Sequence, residues 1–203
     1  MSTLQVEIVD RLDEVQKREV ARLYYQAFAL KFSALWIFTR EEKEVVEVLC
    51  RSLRYDNGLY ALCEGRVIGF IGLEKGDGFF AALNYASLRQ TFGIFGGVWR
   101  YAAYGVYRLF HSGISKDTIH IDPLVVSGEA RGLGIGTRLL EAAFTWSRQA
   151  NRSKVLLEVV DTNPLAKKLY ERVGFRTFKV ENTRLFSSQA GFHKVLHMEK
   201  MLK

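Results

Sequence analysis

With 203 residues, 48% hydrophobic and 25% charged, the chain can bury an apolar core and is not intrinsically disordered; it reads as one domain, or at most two very small ones. Two cysteines, Cys50 and Cys63, and two prolines, Pro123 and Pro164, exclude a disulfide framework, a zinc cluster and a proline-rich linker, and fit a reducing compartment. The net charge of +7 arises from scattered Lys and Arg interleaved with Glu14, Glu44, Glu141 and Glu171, a pattern of solvated helix faces that argues against a nucleic-acid partner and would serve an anionic small ligand.

Met1 to Asp10 carries Glu7 and Asp10 and no apolar h-region, so no secretory signal is read and a cytoplasmic location is expected. Leu4 to Val9 alternates apolar and polar residues as a half-buried strand does, and Asp10 is placed to cap the helix that follows. Between Leu12 and Leu30 the apolar residues recur at three- and four-residue spacing, which predicts an amphipathic helix. Thr39-x-x-Glu42 has the form of a capping box, Val45, Val46, Leu49 and Leu53 continue a second helical stripe, and Asn57-Gly58 ends it. Leu59 to Cys63 and Val67 to Leu73 flank Glu64-Gly65 as a β-hairpin. Ile119 to Val126 and Lys154 to Val160 are further strands, and the helix from Ile135 to Gln149 between them implies parallel pairing. Pro164 to Val173 is a last helix, capped by Asn163 with Pro164 at its first position; Phe175 to Val180 and His193 to Met201 close the sheet.

The segment from Gly76 to Asp117 breaks this rhythm. It is rich in aromatic residues, from Phe79 through Trp99 to Phe110, and Gly93, Gly96 and Gly97 divide it into two helices with Arg89, Arg100 and Arg108 on their polar sides. A substrate lid, a dimer surface, a membrane-facing pair and an extra helical hairpin packed on the sheet all fit it, but it is too short and interrupted to span a bilayer.

Arg131-Gly132-Leu133-Gly134-Ile135-Gly136-Thr137 joins the strand ending at Val126 to the helix beginning at Ile135. Strand, glycine loop and helix make an anion-binding arrangement, because glycine lets the backbone approach and the first helical turn has unpaired N–H groups. No lysine follows as a Walker loop requires, and Thr137 stands where the dinucleotide fingerprint needs its third glycine. With the strand ahead of it, this R-G-x-G-x-G spacing resembles the GCN5-related N-acetyltransferase (GNAT) superfamily. Leu157-Glu158-Val159-Val160-Asp161-Thr162-Asn163-Pro164-Leu165-Ala166-Lys167-Lys168-Leu169-Tyr170-Glu171-Arg172-Val173-Gly174-Phe175 resembles a second block of that superfamily, in the right order and separation.

The resemblance implies a single GNAT-type α/β domain over residues 1–203: a mixed, bent sheet of about seven strands flanked by helices, with a helical aromatic insert over roughly 76–118. It implies that backbone groups of Leu124, Val125 and Val126 bind the pantetheine arm of acetyl-CoA as an added strand, and that Arg131, Gly132, Leu133, Gly134, Ile135, Gly136 and Thr137 hold its pyrophosphate. Asn163 would reach the cofactor and Tyr170 would protonate the leaving sulfur. An amine of pKa about 10.4 is neutral in roughly one molecule in 2,500 at pH 7, a deficit of about 4.6 kcal/mol that a base or desolvation must cover. Glu158 is the first candidate base, then Asp122, then His120, with water as a further option. His193 and His197 lie four apart without further metal ligands near them and read as structural, so no metal is expected.

The expected reaction is direct acetyl transfer to a primary amine of a small molecule. A protein N-terminus or lysine comes second, and a non-catalytic acyl-CoA-binding or membrane-associated module is the rival from another class. A homodimer is compatible with the exposed aromatics expected of the insert.

Overall fold

The computed structural model describes residues 5–76, 78–109, 117–183 and 191–202, apart from the side chains of 107–109. Leu4, Phe110 and the side chain of Arg108 therefore lie outside the described residues. One seven-stranded sheet runs in the order β1-β2-β3-β4-β5-β7-β6. Its strands are β1 Val6–Val9, β2 Gly58–Cys63, β3 Arg66–Glu74, β4 Thr118–Val126, β5 Lys154–Val160, β6 Arg176–Asn182 and β7 Lys194–Met201. All neighbours pair antiparallel except β4 and β5, which are parallel. The connection between those two is the predicted crossover helix, α4 (Ile135–Gln149). The β2–β3 turn uses Glu64 and Gly65 at φ 50° and 76°, the two left-handed residues that a tight hairpin demands.

Helices cover both faces. On the first, α1 (Glu14–Lys31), α2 (Glu42–Ser52) and α3 (Tyr85–Leu109) enclose Val20, Tyr24, Val45, Leu49, Phe70, Phe80 and Val125. The Tyr24 ring packs edge-on against Phe28, Phe32 and Phe70, so aromatic contacts join α1 to the sheet. On the second face, α4 and α5 (Pro164–Arg172) bury Ile71, Leu73, Ile121, Leu139, Val155, Leu157 and Tyr170.

Several local expectations are corrected. Asp13, not Asp10, caps α1, because its carboxylate accepts from the Gln16 N–H while the Gln16 side chain reaches back to the Asp13 N–H. Thr39 and Glu42 do not form a capping box: Thr39 Oγ1 bonds Glu44 at 2.7 Å, and α2 begins without a side-chain cap. Nor does Asn57-Gly58 end α2. That helix stops at Ser52, a 3-10 turn spans Tyr55–Asn57, and Gly58 opens β2. Both cysteines are half-buried, and the last strand starts at Lys194, one residue after His193.

The insert forms two helical segments, 85–92 and 94–109, joined at Gly93 (φ 72°) alone. Gly96 and Gly97 do not interrupt the second segment, and Gly97 lies where the two segments touch, against the backbone of Arg89. Leu88 and Tyr104 face inward, with Tyr104 Oη donating to the Ala81 carbonyl at 3.0 Å. Arg100, expected on a polar face, folds in instead. It donates to the Ile37 carbonyl at 2.7 Å and lies over the Phe92 and Trp99 rings. The outer face exposes Ile94, Phe95, Val98, Trp99, Tyr101 and Val106, with Phe95 at 89%. Among the described residues no helix is long and apolar enough to cross a membrane.

Candidate active site

The site begins where two parallel strands part. β4 and β5 pair from Thr118↔Lys154 to Ile121↔Leu157 and no further, whereas β4 stays tied to β3 up to Val126 and β5 to β7 up to Val160. The edge of β4 from Asp122 to Val126 therefore faces a gap instead of a strand. A bulge coincides with the parting: one residue of β3, Gly72, lies opposite two of β4, Asp122 and Pro123, between the pairs Ile71↔Leu124 and Leu73↔Ile121. Glycine is required there, since a Cβ would run into the Asp122 carbonyl oxygen and the Phe80 ring. The bulge also resets side-chain alternation, so that Ile121 and Leu124 both face α4 while His120 and Val125 face the α1–α3 layer.

At the far end of this edge the chain turns through a 3-10 turn, Gly128–Ala130, into the glycine loop. Gly132 and Gly134 adopt φ 80° and 79°, conformations that L side chains rarely take. Nothing lies within 4 Å of where their Cβ atoms would be, so the loop's outer side is open. No side chain caps the start of α4, and its first-turn N–H groups have no acceptors within the helix. Arg131, Gly132, Leu133 and Gly134 are exposed, Ile135 is buried, and Gly136 and Thr137 are half-buried. Thr137 Oγ1 accepts from Arg172 on α5 at 3.4 Å.

Tyr170 enters from the α4–α5 side. Its ring is 7% exposed and packs edge-on against Phe175 at 5.9 Å. Burial pushes the phenol up to about 12, and the charge of Asp122 adds to the shift. Tyr170 is thus a neutral donor across the physiological range, electrostatically coupled to a residue at the mouth of the gap.

His120 approaches from the opposite face. Its Nδ1 lies 3.2 Å from Glu74 Oε2, and Glu74 is its direct cross-strand neighbour on β3. Glu74 is 5% exposed, and its other oxygen accepts the Phe80 N–H at 3.0 Å. Burial raises the Glu74 carboxyl above the usual carboxylate range despite its bond to His120. For His120, burial opposes protonation, but the bond to Glu74 and the charges of Asp122 and Glu158 outweigh it and raise the imidazole above its ordinary 6.5. Glu158 sits on the same face of β5, exposed, with Oε1 3.0 Å from His197 Nδ1 on β7. His197 Nε2 lies 3.2 Å from Glu181, so the imidazole bridges two carboxylates.

The structure gathers Asp122, His120, Glu158 and Tyr170 around the end of the β4–β5 pairing, and the pantetheine and pyrophosphate candidates along the edge and loop leading away from it. Asn163 caps α5 through Oδ1, which accepts the Ala166 N–H at 3.1 Å, as its place before Pro164 indicated. Sequence reasoning missed Glu74. The one signal was an acid ending an apolar run, and its partner stands 46 residues away across the insert. His197, read as structural, lies between the Glu158 and Glu181 carboxylates and packs against the Phe178 ring at 6.1 Å. Among the described residues no group of three or more metal-ligating side chains forms.

Comparison with known proteins agrees with this architecture. Residues 18–175 match the acetyltransferase (GNAT) family. An uncharacterised N-acetyltransferase of Methanocaldococcus jannaschii is 44% identical over 62 residues, 30% of this chain and 40% of that protein. A protein of Xenopus tropicalis named "Probable N-acetyltransferase camello" is 35% identical over 67 residues, 33% of this chain and 31% of that protein. The matched segments thus span well under half of either relative. An N-acetyltransferase from Staphylococcus aureus superposes with a TM-score of 0.65 at 17% identity, over 96% of this chain and 100% of the other. Ard1 from Thermoplasma volcanium does so with a TM-score of 0.61 at 16% identity, over 98% of both chains. The family match covers most of the chain, and the seven-stranded sheet flanked by helices agrees with the solved structures: the chain belongs to the GNAT acetyltransferase family.

Proposed function

We propose that this chain transfers the acetyl group of acetyl-CoA directly to a primary amine of a small molecule. The observation that carries the reading is that the free edge of β4 runs from a glycine loop with uncapped helix N–H groups to a gap flanked by a phenol on one face and an imidazole on the other. In this reading the pantetheine adds to Leu124, Val125 and Val126 as a strand, and the loop from Arg131 to Thr137 takes the pyrophosphate. Asn163, whose carbonyl oxygen is engaged in the cap, offers the cofactor its amide N–H. The thioester then lies in the gap, reachable from both faces of the sheet.

The chemistry follows. Of the two protons an ammonium substrate loses, one goes to a base and on to solvent, which frees the lone pair. Nitrogen attacks the thioester carbon, the C–S bond breaks, the sulfur takes a proton from Tyr170, and the second proton shed by nitrogen replaces it on the phenol. Among the candidate bases we place His120 first, because a recessed imidazole held by a carboxylate is near its optimum for proton transfer around neutral pH. Glu158 instead has its Oε1 3.0 Å from His197 Nδ1. With Glu181 beyond it, Glu158 gives the mouth negative charge to attract the ammonium, and Asp122 adds to this. A slender amine suits a base that is recessed below the surface.

The reading includes a homodimer. From Ile94 to Val106 the outer face of α3 carries no exposed charge, and the cation within it, Arg100, is turned inward. An antiparallel two-fold pairing sets bulky Phe95 and Trp99 of one copy against Gly105 and Ala102 of the other. Fully exposed aromatic side chains present about 150–250 Å² each. On that scale two such faces bury on the order of 1,000–1,400 Å², which reaches the range of specific interfaces.

The deciding experiment measures release of free CoA thiol from acetyl-CoA over a panel of small amines, lysine peptides and N-terminal peptides. Turnover confined to small amines supports the proposal, and turnover on peptides alone replaces the acceptor class. Binding of CoA without turnover on any amine would make this a binding module.

A further inference from the structure

We propose that Glu74 is a positioning residue for acetyl transfer: from the buried end of β3 it accepts the Nδ1–H of His120 and so fixes Nε2 as the nitrogen that takes the proton from the acceptor amine. The inference rests on the reading of His120 as the base.

Three observations converge on Glu74. It is the cross-strand neighbour of His120, with both side chains on the face covered by α1 to α3. Its carboxylate is oriented at both oxygens: the Phe80 backbone N–H holds Oε1 at 3.0 Å, which aims Oε2 at the ring, 3.2 Å away. It is 5% exposed. A carboxyl buried to this degree costs desolvation energy that a packed apolar side chain would avoid, so stability alone does not explain its presence.

A neutral imidazole has one N–H and one lone pair. Donation from Nδ1 to a carboxylate selects the tautomer whose lone pair is on Nε2 and holds the ring plane. In the proton-transfer step an N–H bond of the ammonium breaks and the Nε2–H bond forms, and the resulting imidazolium keeps its Nδ1–H on Glu74. The proton then leaves from Nε2 to solvent, and Glu74 forms no covalent bond.

The charged groups facing His120 are Glu74 from β3, Asp122 from its own strand and Glu158 from β5, while Tyr170 on α5 couples to Asp122. Removing the Glu74 charge therefore moves the titration of the ring to lower pH. A glutamine at this position puts an NH2 donor where one of the two carboxylate oxygens stood, so it cannot accept at both places, from Phe80 N–H at one and from His120 Nδ1–H at the other.

The experiment compares the full chain with Glu74→Gln, Glu74→Asp, His120→Gln and the Glu74→Gln/His120→Gln double variant. The readouts are kcat and the acid limb of kcat/KM for the best amine, the ¹⁵N tautomer signature of His120, and Tm. The expected result for Glu74→Gln is a fall in kcat of about 100-fold or more, an acid limb displaced to lower pH and an acetyl-CoA KM within about two-fold of the parent. The ring should lose its uniform Nδ1–H state. Glu74→Asp, which keeps the charge, should recover part of the rate, and the double variant should be no slower than His120→Gln alone. A Glu74→Gln protein that loses only Tm, with acid limb and tautomer unmoved while His120→Gln is slow, overturns the positioning role. A His120→Gln protein with normal rate and pH profile overturns the base reading itself, and any catalytic part for Glu74 with it.

Discussion

Tyr170→Phe isolates one oxygen atom. The ring keeps its burial and its edge contact with Phe175. The Tyr170 hydroxyl makes no hydrogen bond among the described residues, so stability should change by less than about 1 kcal/mol. The effect on catalysis is set by the phenol's acidity, pushed up to about 12 by burial. The thiol of CoA is comparable to that of cysteine, about 8.5, so complete transfer of the phenol proton to the thiolate is uphill by roughly 5 kcal/mol. In the proposed reaction tyrosinate would therefore never accumulate: Tyr170 would donate a hydrogen bond as charge grows on sulfur, its proton passed on as it is replaced. A positioned acid of this kind is worth about 10²–10⁴ in rate, or roughly 3–5 kcal/mol of barrier. The assay is thiol release at saturating acetyl-CoA between pH 6 and 10, with acetyl-CoA KM measured alongside. The expected outcome is a fall in kcat of that size, with KM within about two-fold and Tm within about 3 °C of the parent. Two results would refute the reasoning. One is a kcat within about three-fold of the parent. The other is a basic limb near pH 9–10 in the parent that vanishes in Tyr170→Phe, because a phenol buried as this one is does not titrate there.

Gly134→Ala places a side chain at φ 79° in open space, so backbone strain of about 1 kcal/mol is the whole stability cost. If the loop holds pyrophosphate, acetyl-CoA KM should rise about ten-fold or more while the amine KM stays put; an unchanged acetyl-CoA KM would remove the loop from the cofactor site. Gly72→Ala drives a methyl group into the Asp122 carbonyl and the Phe80 ring; a loss of about 2–4 kcal/mol is expected in urea unfolding, and a loss under about 0.5 kcal/mol would show that the bulge is slack. His120 is raised above its unfolded value near 6.5, so its contribution to stability is fully present below pH 6.5 and is lost as pH rises through the folded value. The raised Glu74 carboxyl has the same sign. Tm should therefore fall more steeply above pH 6.5 in the parent than in His120→Gln, as thermal melts across pH 5.5–8.5 would report, and parallel curves would contradict it. Phe95→Glu should convert a dimer into a monomer in sedimentation equilibrium at about 50 μM while leaving kcat unchanged; a parent that is monomeric at that concentration would remove the α3 face as a dimer seam.

Periodicity and turn chemistry made the secondary elements legible in the sequence. α4 begins and ends at the predicted residues, and the β2–β3 hairpin and the Asn163 cap followed from residues within a few positions of one another. Local interactions determined these elements, so a local reading recovered them. Helix starts failed where two caps compete locally: Asp10 and Asp13 both suit α1, and a glutamine exactly three residues on chose Asp13.

The glycine loop and Tyr170 were visible for a related reason, since conformational need and motif spacing are written along the chain. The partnership of His120 with Glu74 was not, because it exists only once β3 and β4 pair in a register that includes the bulge at Gly72. Sequence reading ranked Glu158 ahead of His120, and it had no means of knowing that His197 on β7 would lie opposite Glu158. What the sequence by itself determined was which segments become strands and helices and which residue types could do the chemistry. Tertiary structure alone decided which charges share a buried site. Burial and the distance between charges, which set both acidity and proton transfer, are properties of chain segments brought together and have no counterpart along the chain.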